Sequence, residues 1–256
     1  MSLPPDDRGF TLGHGLFETV LFEDGRLRHW SAHVARLAQS CPALGLPSPE
    51  PEACASAAEV ALQAAGAPPR AAERLNWSAG SGGRGLDSPA TPKPRLTASA
   101  APLPPAQRTL LSLALSSIRR NESSPAARLK TLAYLDNVLA RAEAQAAGAD
   151  EALMLNSRGE VACAAAGNVF WVQGGQVLTP ALDCGVLAGV MRSAVLRACA
   201  AAGLIAAEVR ARPADLAGAP MFLTNSLIGV RPVSALDGAA RPPPDLTPIL
   251  AALDPG

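Results

Sequence analysis

Lysine is almost absent from this 256-residue chain, which carries its positive charge on arginine. Of the 22 lysine and arginine residues, only Lys93 and Lys130 are lysines. Arginine keeps its proton near neutral pH, so any chemistry that needs a neutral amine must use one of these two. Lys93 lies between two prolines, which is typical of a solvated loop charge. Lys130 is therefore the candidate catalytic lysine, although a snorkelling charge would also fit its position.

Paired cysteines, excess charge and long apolar runs are also lacking. The cysteines lie at wide spacings without a CxxC pair, which favours reduced thiols and no metal site; they are Cys41, Cys54, Cys163, Cys184 and Cys199. A net charge of zero argues against nucleic acid or an anionic membrane as the main partner. We find no signal peptide or transmembrane pattern, so a cytoplasmic protein is expected.

Apolar periodicity predicts strands and helices in the first hundred residues. Residues 17–30 are typical of a hairpin with its turn at 23–25. Ser31 is the predicted cap of a helix that buries Val34, Leu37 and Cys41 on one face. The other predicted elements here are a helix over 50–65 and strands over 74–79 and 95–100. A loop at 80–85 (GSGGRG) is either a flexible connection or a means for Arg84 to reach a carboxylate.

A proline cluster at 102–105 predicts the domain boundary, because such clusters leave extended linkers. We expect a small N-terminal domain over 1–101, a linker over 102–108 and a C-terminal domain over 109–256.

The second half of the chain combines a helix with hairpins and strands. Leu132, Leu135, Leu139 and Ala142 predict the buried face of a helix that Lys130 enters. Hairpins are predicted over 151–156 with a return strand from 161 onward, and over 168–179, and strands over 109–116, 205–209 and 221–224. Glycines at 185 and 189 then lead into a helix. Free backbone N–H groups at its start, on Val190 and Met191, are typical of a phosphate site.

Ordered sequence blocks resemble the class IV pyridoxal-phosphate (PLP) aminotransferases. The blocks are 10–19 (FTLGHGLFET), 33–37 (HVARL), 130–135 (KTLAYL), 148–152 (GADEA), 156–159 (NSRG), 168–170 (NVF), 178–180 (LTP), 187–192 (LAGVMR) and 222–226 (FLTNS). The resemblance spans nearly the whole chain. It implies a mixed α/β (α+β) fold of type IV, with a small N-terminal α/β domain and a larger, mostly β C-terminal domain with helices. It also implies PLP as cofactor, a small-molecule substrate and a homodimer.

The resemblance implies a role for each matched residue. Lys130 would bind PLP and act as the base, and Arg36, Ser226, Val190 and Met191 would hold the phosphate. Tyr134, one turn past Lys130 on the predicted helix, could contact the phenolic oxygen of PLP or be a core aromatic residue. Without the resemblance, Arg36 would be a surface arginine and Ser226 a turn residue.

Two blocks favour one branch of the family. Residues 78–85 (SAGSGGRG) and 189–192 (GVMR) look most like 4-amino-4-deoxychorismate lyases, which release pyruvate to make 4-aminobenzoate. This implies a lyase with Arg84 binding substrate. The alternatives are an aminotransferase acting on D-amino or branched-chain amino acids, and a non-catalytic PLP-fold binding protein.

Cys163 departs from the family pattern, which places a glutamate against the pyridine nitrogen of PLP. A thiol, with a pKa near ~8.5, is a weaker anionic partner than a carboxylate at about 4.3. Glu160 points to the opposite strand face unless a bulge intervenes. A ring without an anionic partner favours the lyase over transamination. His14 stands where the family more often has aspartate, so we assign it no catalytic role.

Overall fold

The computed structural model describes residues 3–107 and 109–253, in which helices and strands are mixed along the chain. The helices are α1 (Arg8–Leu12), α2 (Trp30–Ser40), α3 (Pro51–Ala64), α4 (Leu135–Ala146), α5 (Val190–Ala201) and α6 (Thr247–Leu253). The strands are β1 (Gly15–Glu23), β2 (Arg26–Leu27), β3 (Arg70–Ser78), β4 (Arg95–Pro102), β5 (Leu111–Arg120), β6 (Glu151–Asn156), β7 (Val161–Ala164), β8 (Asn168–Gln173), β9 (Gln176–Pro180), β10 (Ala206–Val209), β11 (Met221–Asn225), β12 (Gly229–Leu236) and β13 (Ala239–Ala240). The predicted mixed α/β class is confirmed.

The contacts divide the chain into two compact units. The first contains the described residues up to Pro105 together with Leu129–Tyr134, and the second contains Ala106–Arg128 and the described residues from Leu135 onward. Lys130 therefore belongs to the first unit. The domain limits at 1–101, 102–108 and 109–256 stay a prediction. Three of their end points, residues 1, 108 and 256, lie outside the described residues.

The first unit is built on a four-stranded sheet in the order β2-β1-β3-β4. β1 pairs antiparallel with β3 along its whole length, from Gly15 opposite Ser78 to Glu23 opposite Arg70. Leu37 on α2 packs with the sheet residues in one apolar core, and the predicted buried face of α2 is confirmed. The predicted cap is wrong, because α2 begins at Trp30 after a left-handed His29.

The second unit contains a nine-stranded sheet in the order β10-β9-β8-β11-β12-β5-β6-β7, with β13 paired to β12. The predicted hairpins β6–β7 and β8–β9 are confirmed as antiparallel pairs. β5 lies parallel to both β6 and β12, and these pairings join distant parts of the sequence. α5 and α6 pack over Phe170 and Phe222, whose rings stack with centroids 4.9 Å apart.

The helix predicted to follow Lys130 begins only at Leu135, and its predicted buried face is wrong. Leu135 is 66% exposed and Leu139 is 45% exposed, whereas Ala140 and Ala144 are buried. The two alanines belong to a cluster with residues of β6 and β7. Small side chains allow the helix to approach the strands closely, so alanine faces the core and leucine faces outward.

Candidate functional site

Lys130 lies in a non-helical segment beside β1, so its predicted place at a helix entry is wrong. The Phe17 amide donates to the Lys130 carbonyl at 2.8 Å, and the Leu132 amide donates to the Gly15 carbonyl at 2.9 Å. Leu16 and Thr131 form a bridge in the same register. These sheet-like bonds fix the backbone of Lys130 to a central strand of the first unit.

The Lys130 amine lies among aromatic rings. Its Nζ is 4.1 Å from the Phe17 ring centroid and 5.2 Å from that of Tyr134. Phe17 and Tyr134 meet edge to face, with centroids 5.1 Å apart. Burial lowers the pKa of Lys130 to about 8, the charges of Arg36 and Arg74 lower it too, and Glu18 acts in the opposite direction. Much of this amine is therefore neutral at slightly alkaline pH, as a nucleophile or base requires.

Arg36 is held by a buried carboxylate rather than solvated at the surface. Its Nε donates to Glu18 Oε1 at 2.8 Å and its Nη2 donates to Oε2 at 2.5 Å. His33 Nδ1 also lies 2.7 Å from Oε2. Burial alone would raise the pKa of Glu18, but the hydrogen bonds and charges of His33 and Arg36 leave it lowered. The carboxylate stays ionised and fixes the Arg36 guanidinium in place.

Arg74 is a further cation of the first unit, and its sequence context does not indicate a role in the site. Its guanidinium carbon lies 3.8 Å from the Phe17 ring centroid, and its Nε donates to Asn76 Oδ1 at 2.8 Å. Burial lowers its pKa. Only the pairing of β1 with β3 identifies Arg74, since its partner Thr19 shares a sheet face with Phe17.

Arg84 lies in the glycine-rich loop that follows β3, and its side chain is exposed. The Asp87 amide donates to the Arg84 carbonyl at 3.1 Å, closing a turn over 84–87. Gly83, at φ +76°, could not be replaced easily, because a Cβ there would lie 2.0 Å from the Asp87 carbonyl oxygen. The loop therefore has a defined backbone rather than being a featureless connection.

In the second unit, α5 begins at the predicted glycine turn. Gly189 is its N-cap, and Val190 and Met191 form its first turn. Amides of a first turn have no helical acceptor and favour an anion. Asn168 Nδ2 donates to the Leu187 carbonyl at 3.0 Å, and a Cβ on Gly189 would lie 2.1 Å from Asn168 Oδ1. Asn168 thus shapes this turn, a role that its strand pattern alone does not indicate.

Ser226 follows β11 in a turn that Asn225 organises. Asn225 Oδ1 accepts from the Leu227 and Ile228 amides at 2.9 Å each, and its Nδ2 donates to Ala166 at 2.7 Å. Thr224, one residue before, has a buried hydroxyl without a hydrogen-bond partner among the described residues. This end of β11 therefore carries two hydroxyl-bearing residues beside an ordered turn.

Cys163 is buried on β7 among small apolar side chains. Burial raises the pKa of its thiol; the charge of Arg120 acts in the opposite direction and that of Glu151 adds to the rise. The thiol is accordingly neutral near pH 7. It does not supply the negative charge that a glutamate would supply at the same position.

Glu160 has other partners, although β7 does contain a register shift next to it. Its carboxylate accepts from Asn156 Nδ2 at 2.7 Å and Arg158 Nε at 3.0 Å, and Arg210 lies at 3.4 Å. The Asn156 hydrogen bond is the main cause that lowers the pKa of Glu160 to about 2, against a burial effect that would raise it, with Arg158 contributing next. Glu160 is an ionised member of this network.

The first unit thus gathers an amine of lowered pKa, two guanidinium groups and one carboxylate. An excess of positive charge around a neutral amine suits a carbonyl compound that also carries an anionic group. An aldehyde with a phosphate fits this donor set. Cys163 in the second unit is a buried thiol of raised pKa at the position where the resemblance implies a carboxylate.

A family model described as amino-transferase class IV matches residues 15–236. The chain belongs to the class IV aminotransferase family, whose members are PLP-dependent enzymes. The identification made from the sequence blocks is confirmed.

Relatives in this family include both lyases and transaminases. An aminodeoxychorismate lyase of Vibrio harveyi is 30% identical over 239 residues, which cover 91% of this chain and 87% of that protein. A bifunctional aminodeoxychorismate lyase / D-amino acid transaminase of Mycobacterium tuberculosis is 28% identical and covers 98% of this chain and 91% of its own length.

Solved structures confirm the fold of type IV. A hypothetical aminotransferase from Mycobacterium tuberculosis in its PLP-bound form aligns with a TM-score of 0.86 and 26% identity, over 99% of this chain and 93% of that chain. A branched-chain aminotransferase from Thermoproteus uzoniensis aligns with a TM-score of 0.89 over 98% of this chain and 88% of that chain; at 23% identity it supports the fold alone. No helix within residues 3–107 and 109–253 is long and apolar enough to span a membrane.

Proposed function

We propose that the protein is a PLP-dependent lyase that converts 4-amino-4-deoxychorismate to 4-aminobenzoate and pyruvate, a step of folate biosynthesis. Its membership of an enzyme family disfavours the non-catalytic interpretation. The Vibrio harveyi relative is an aminodeoxychorismate lyase, and this similarity supports 4-amino-4-deoxychorismate as the substrate.

The proposal assigns cofactor binding and proton transfer to particular residues. Lys130 would hold the cofactor aldehyde through its amine, and the free amine would take the proton from the amine-bearing ring carbon of the substrate. Its lowered pKa supports both tasks. Arg36, Ser226 and the Val190 and Met191 amides hold the phosphate, because a dianion needs several donors.

Two more side chains complete the proposal. Tyr134 lies beside the Lys130 amine and would contact the phenolic oxygen of the cofactor. Arg84 binds a substrate carboxylate with its two-pronged guanidinium. When bound, PLP supplies an electron-withdrawing ring that stabilises negative charge at the substrate carbon.

Cys163 is the observation that favours the lyase. A buried thiol of raised pKa at this position would leave the pyridine nitrogen without an anionic partner, and the ring would then be a poorer electron sink. Transamination must hold an electron pair in that ring. The lyase reaction can pass the pair onward, breaking the bond to the enolpyruvyl oxygen and forming an aromatic product.

Transamination of D-amino or branched-chain amino acids is the second candidate. The bifunctional relative, which carries both activities in its name, favours it. Both candidate activities occur in the same enzyme family, and both act on a small-molecule substrate.

A paired assay tests the proposal. Purified enzyme supplied with PLP is given 4-amino-4-deoxychorismate in one arm, and D-alanine, leucine and valine with 2-oxoglutarate in the other. We expect rapid formation of 4-aminobenzoate and pyruvate, and slow transamination. Lys93→Ala, which removes the other lysine, should match the wild type. Rapid transamination without 4-aminobenzoate would contradict the proposal and support the second candidate.

A further inference from the structure

Arg8 lies at the start of α1 and holds the loop that carries Arg84. Only 4% of Arg8 is exposed. Its Nη1 donates to the carbonyl oxygens of Gly82 at 3.3 Å, Gly85 at 3.2 Å and Asp87 at 3.0 Å, and its Nη2 donates to that of Leu86 at 3.1 Å. One side chain therefore binds four carbonyls in six consecutive residues.

Backbone carbonyls, rather than a carboxylate of the described residues, surround the guanidinium of Arg8. No carboxylate of the described residues lies within ion-pair distance of it. Its Nε donates to His14 Nδ1 at 3.2 Å, and His14 Nε2 lies 3.0 Å from the Leu44 carbonyl, which assigns the proton of a neutral imidazole to Nε2. A buried cation is costly unless its donors are satisfied. Here backbone carbonyls of the loop satisfy them.

The loop backbone lies against this cation and is rich in glycine. Gly80, Gly82, Gly83 and Gly85 all have positive φ, and such glycine-rich segments lose much conformational entropy on ordering. A Cβ on Gly83 would lie 3.0 Å from Arg8 Nη1, so the backbone passes close to the guanidinium. The carbonyls that Arg8 binds stand on both sides of Arg84.

We propose that Arg8 is a positioning residue, which fixes the 82–87 loop so that the exposed Arg84 guanidinium is set to bind a substrate carboxylate. This rests on the proposed role of Arg84. Arg8 itself touches neither substrate nor cofactor. It acts through the loop backbone, and a lysine, with one nitrogen, cannot replace its five directed donors.

The test uses Arg8→Lys in the full-length enzyme, with Arg26→Lys at an exposed position of β2 as the matched control. Limited trypsin digestion reports the loop directly, because Arg84–Gly85 is a cleavage site within it. We expect about tenfold faster cleavage there in Arg8→Lys, as loss of charge-assisted hydrogen bonds would give. This arm requires no activity and stands if the proposed function fails. Cleavage at the wild-type rate would overturn the proposal.

The kinetic arm asks whether Arg8 acts through Arg84. We expect Arg8→Lys to raise KM for 4-amino-4-deoxychorismate about tenfold with little change in kcat. Adding Arg8→Lys to Arg84→Ala should then raise KM no further. Additive effects, or a fall in kcat alone, would overturn the positioning role. If Arg8→Lys does not fold, Gly83→Ala disturbs the same contact from the loop side, and it must show the same cleavage and KM changes for the proposal to stand.

Discussion

Glu73 on β3 is a buried carboxylate outside the proposed chemistry. Its side chain is 0% exposed, and neither oxygen has a hydrogen-bond partner among the described residues. Burial raises the pKa of Glu73 to about 7 from 4.5. The folded protein therefore holds this proton more tightly than the unfolded chain does. The resulting stabilisation is complete below pH 4.5 and is lost as pH rises through 7.

Glu73→Gln should remove this pH dependence, because glutamine stays neutral. Between pH 5 and pH 8 we expect the wild type to lose stability relative to the variant by on the order of 2 kcal/mol. Urea unfolding at both pH values measures the change. Glu59→Gln on the exposed side of α3 should behave as the wild type does. If Glu73→Gln and the wild type show the same pH dependence, Glu73 is not protonated in the folded state.

Cys163 allows the choice between lyase and transaminase to be tested by one substitution. Cys163→Glu would supply a carboxylate, so the pyridine ring becomes a better electron sink. We expect the transamination half-reaction with amino acids to rise by a larger factor than elimination does, measured by stopped-flow absorbance. Cys199→Ser, which replaces another buried cysteine, on α5, is the control for loss of a thiol. Unchanged rates in both reactions would show that position 163 does not tune the cofactor.

Some site residues could be predicted from the sequence and others could not. Lys130 could be predicted because the chain has only two lysines. Glu18 and Arg74 could not be recognised, because their importance comes from burial and from partners on α2 and β1. The cofactor roles of the selected residues stay predictions.

At the scale of elements, the start of α5 depends on a close contact with β8. Gly189→Ala would place a Cβ 2.1 Å from Asn168 Oδ1 and force that amide away from the Leu187 carbonyl. We expect PLP affinity to fall by about 1 kcal/mol, the usual contribution of one hydrogen bond. Equilibrium dialysis measures this. Asn168→Ala should weaken binding similarly, and the double variant should be no weaker than either. Full additivity would argue against this contact.

Hairpins were predictable and the faces of α4 were not. β6–β7 and β8–β9 have short turns, so local sequence determines their pairing. On α4 the large apolar side chains share one side, but periodicity does not reveal whether that side is covered by the same chain. The segment before α4 pairs with β1, a contact more than a hundred residues away in sequence.

At the scale of the whole molecule, the order of the strands in the nine-stranded sheet could not be predicted from the sequence. β5 joins β6 and β12 in parallel, and β12 itself contains Pro232 and an irregular register. Such pairings depend on the packing of distant segments rather than on local propensity.

We expect a homodimer, for which the exposed apolar side of α4 offers a surface. Leu135, Val138 and Leu139 are each at least 45% exposed, and neighbouring apolar residues of this size often mark an interface. Sedimentation should give twice the chain mass, and Leu139→Glu should shift the protein towards monomer. Val60→Glu on α3, where Val60 is 69% exposed, should leave the dimer intact. An active wild-type monomer would contradict this expectation.

The central claim is that Lys130 is the lysine that binds PLP. The most direct measurement is borohydride reduction of the PLP-loaded enzyme, followed by peptide mass mapping. We predict a pyridoxyl group on Lys130 in the wild type and in Lys93→Ala, with none in Lys130→Ala. A label on Lys93, or no label on either lysine while the enzyme remains active, would contradict the account.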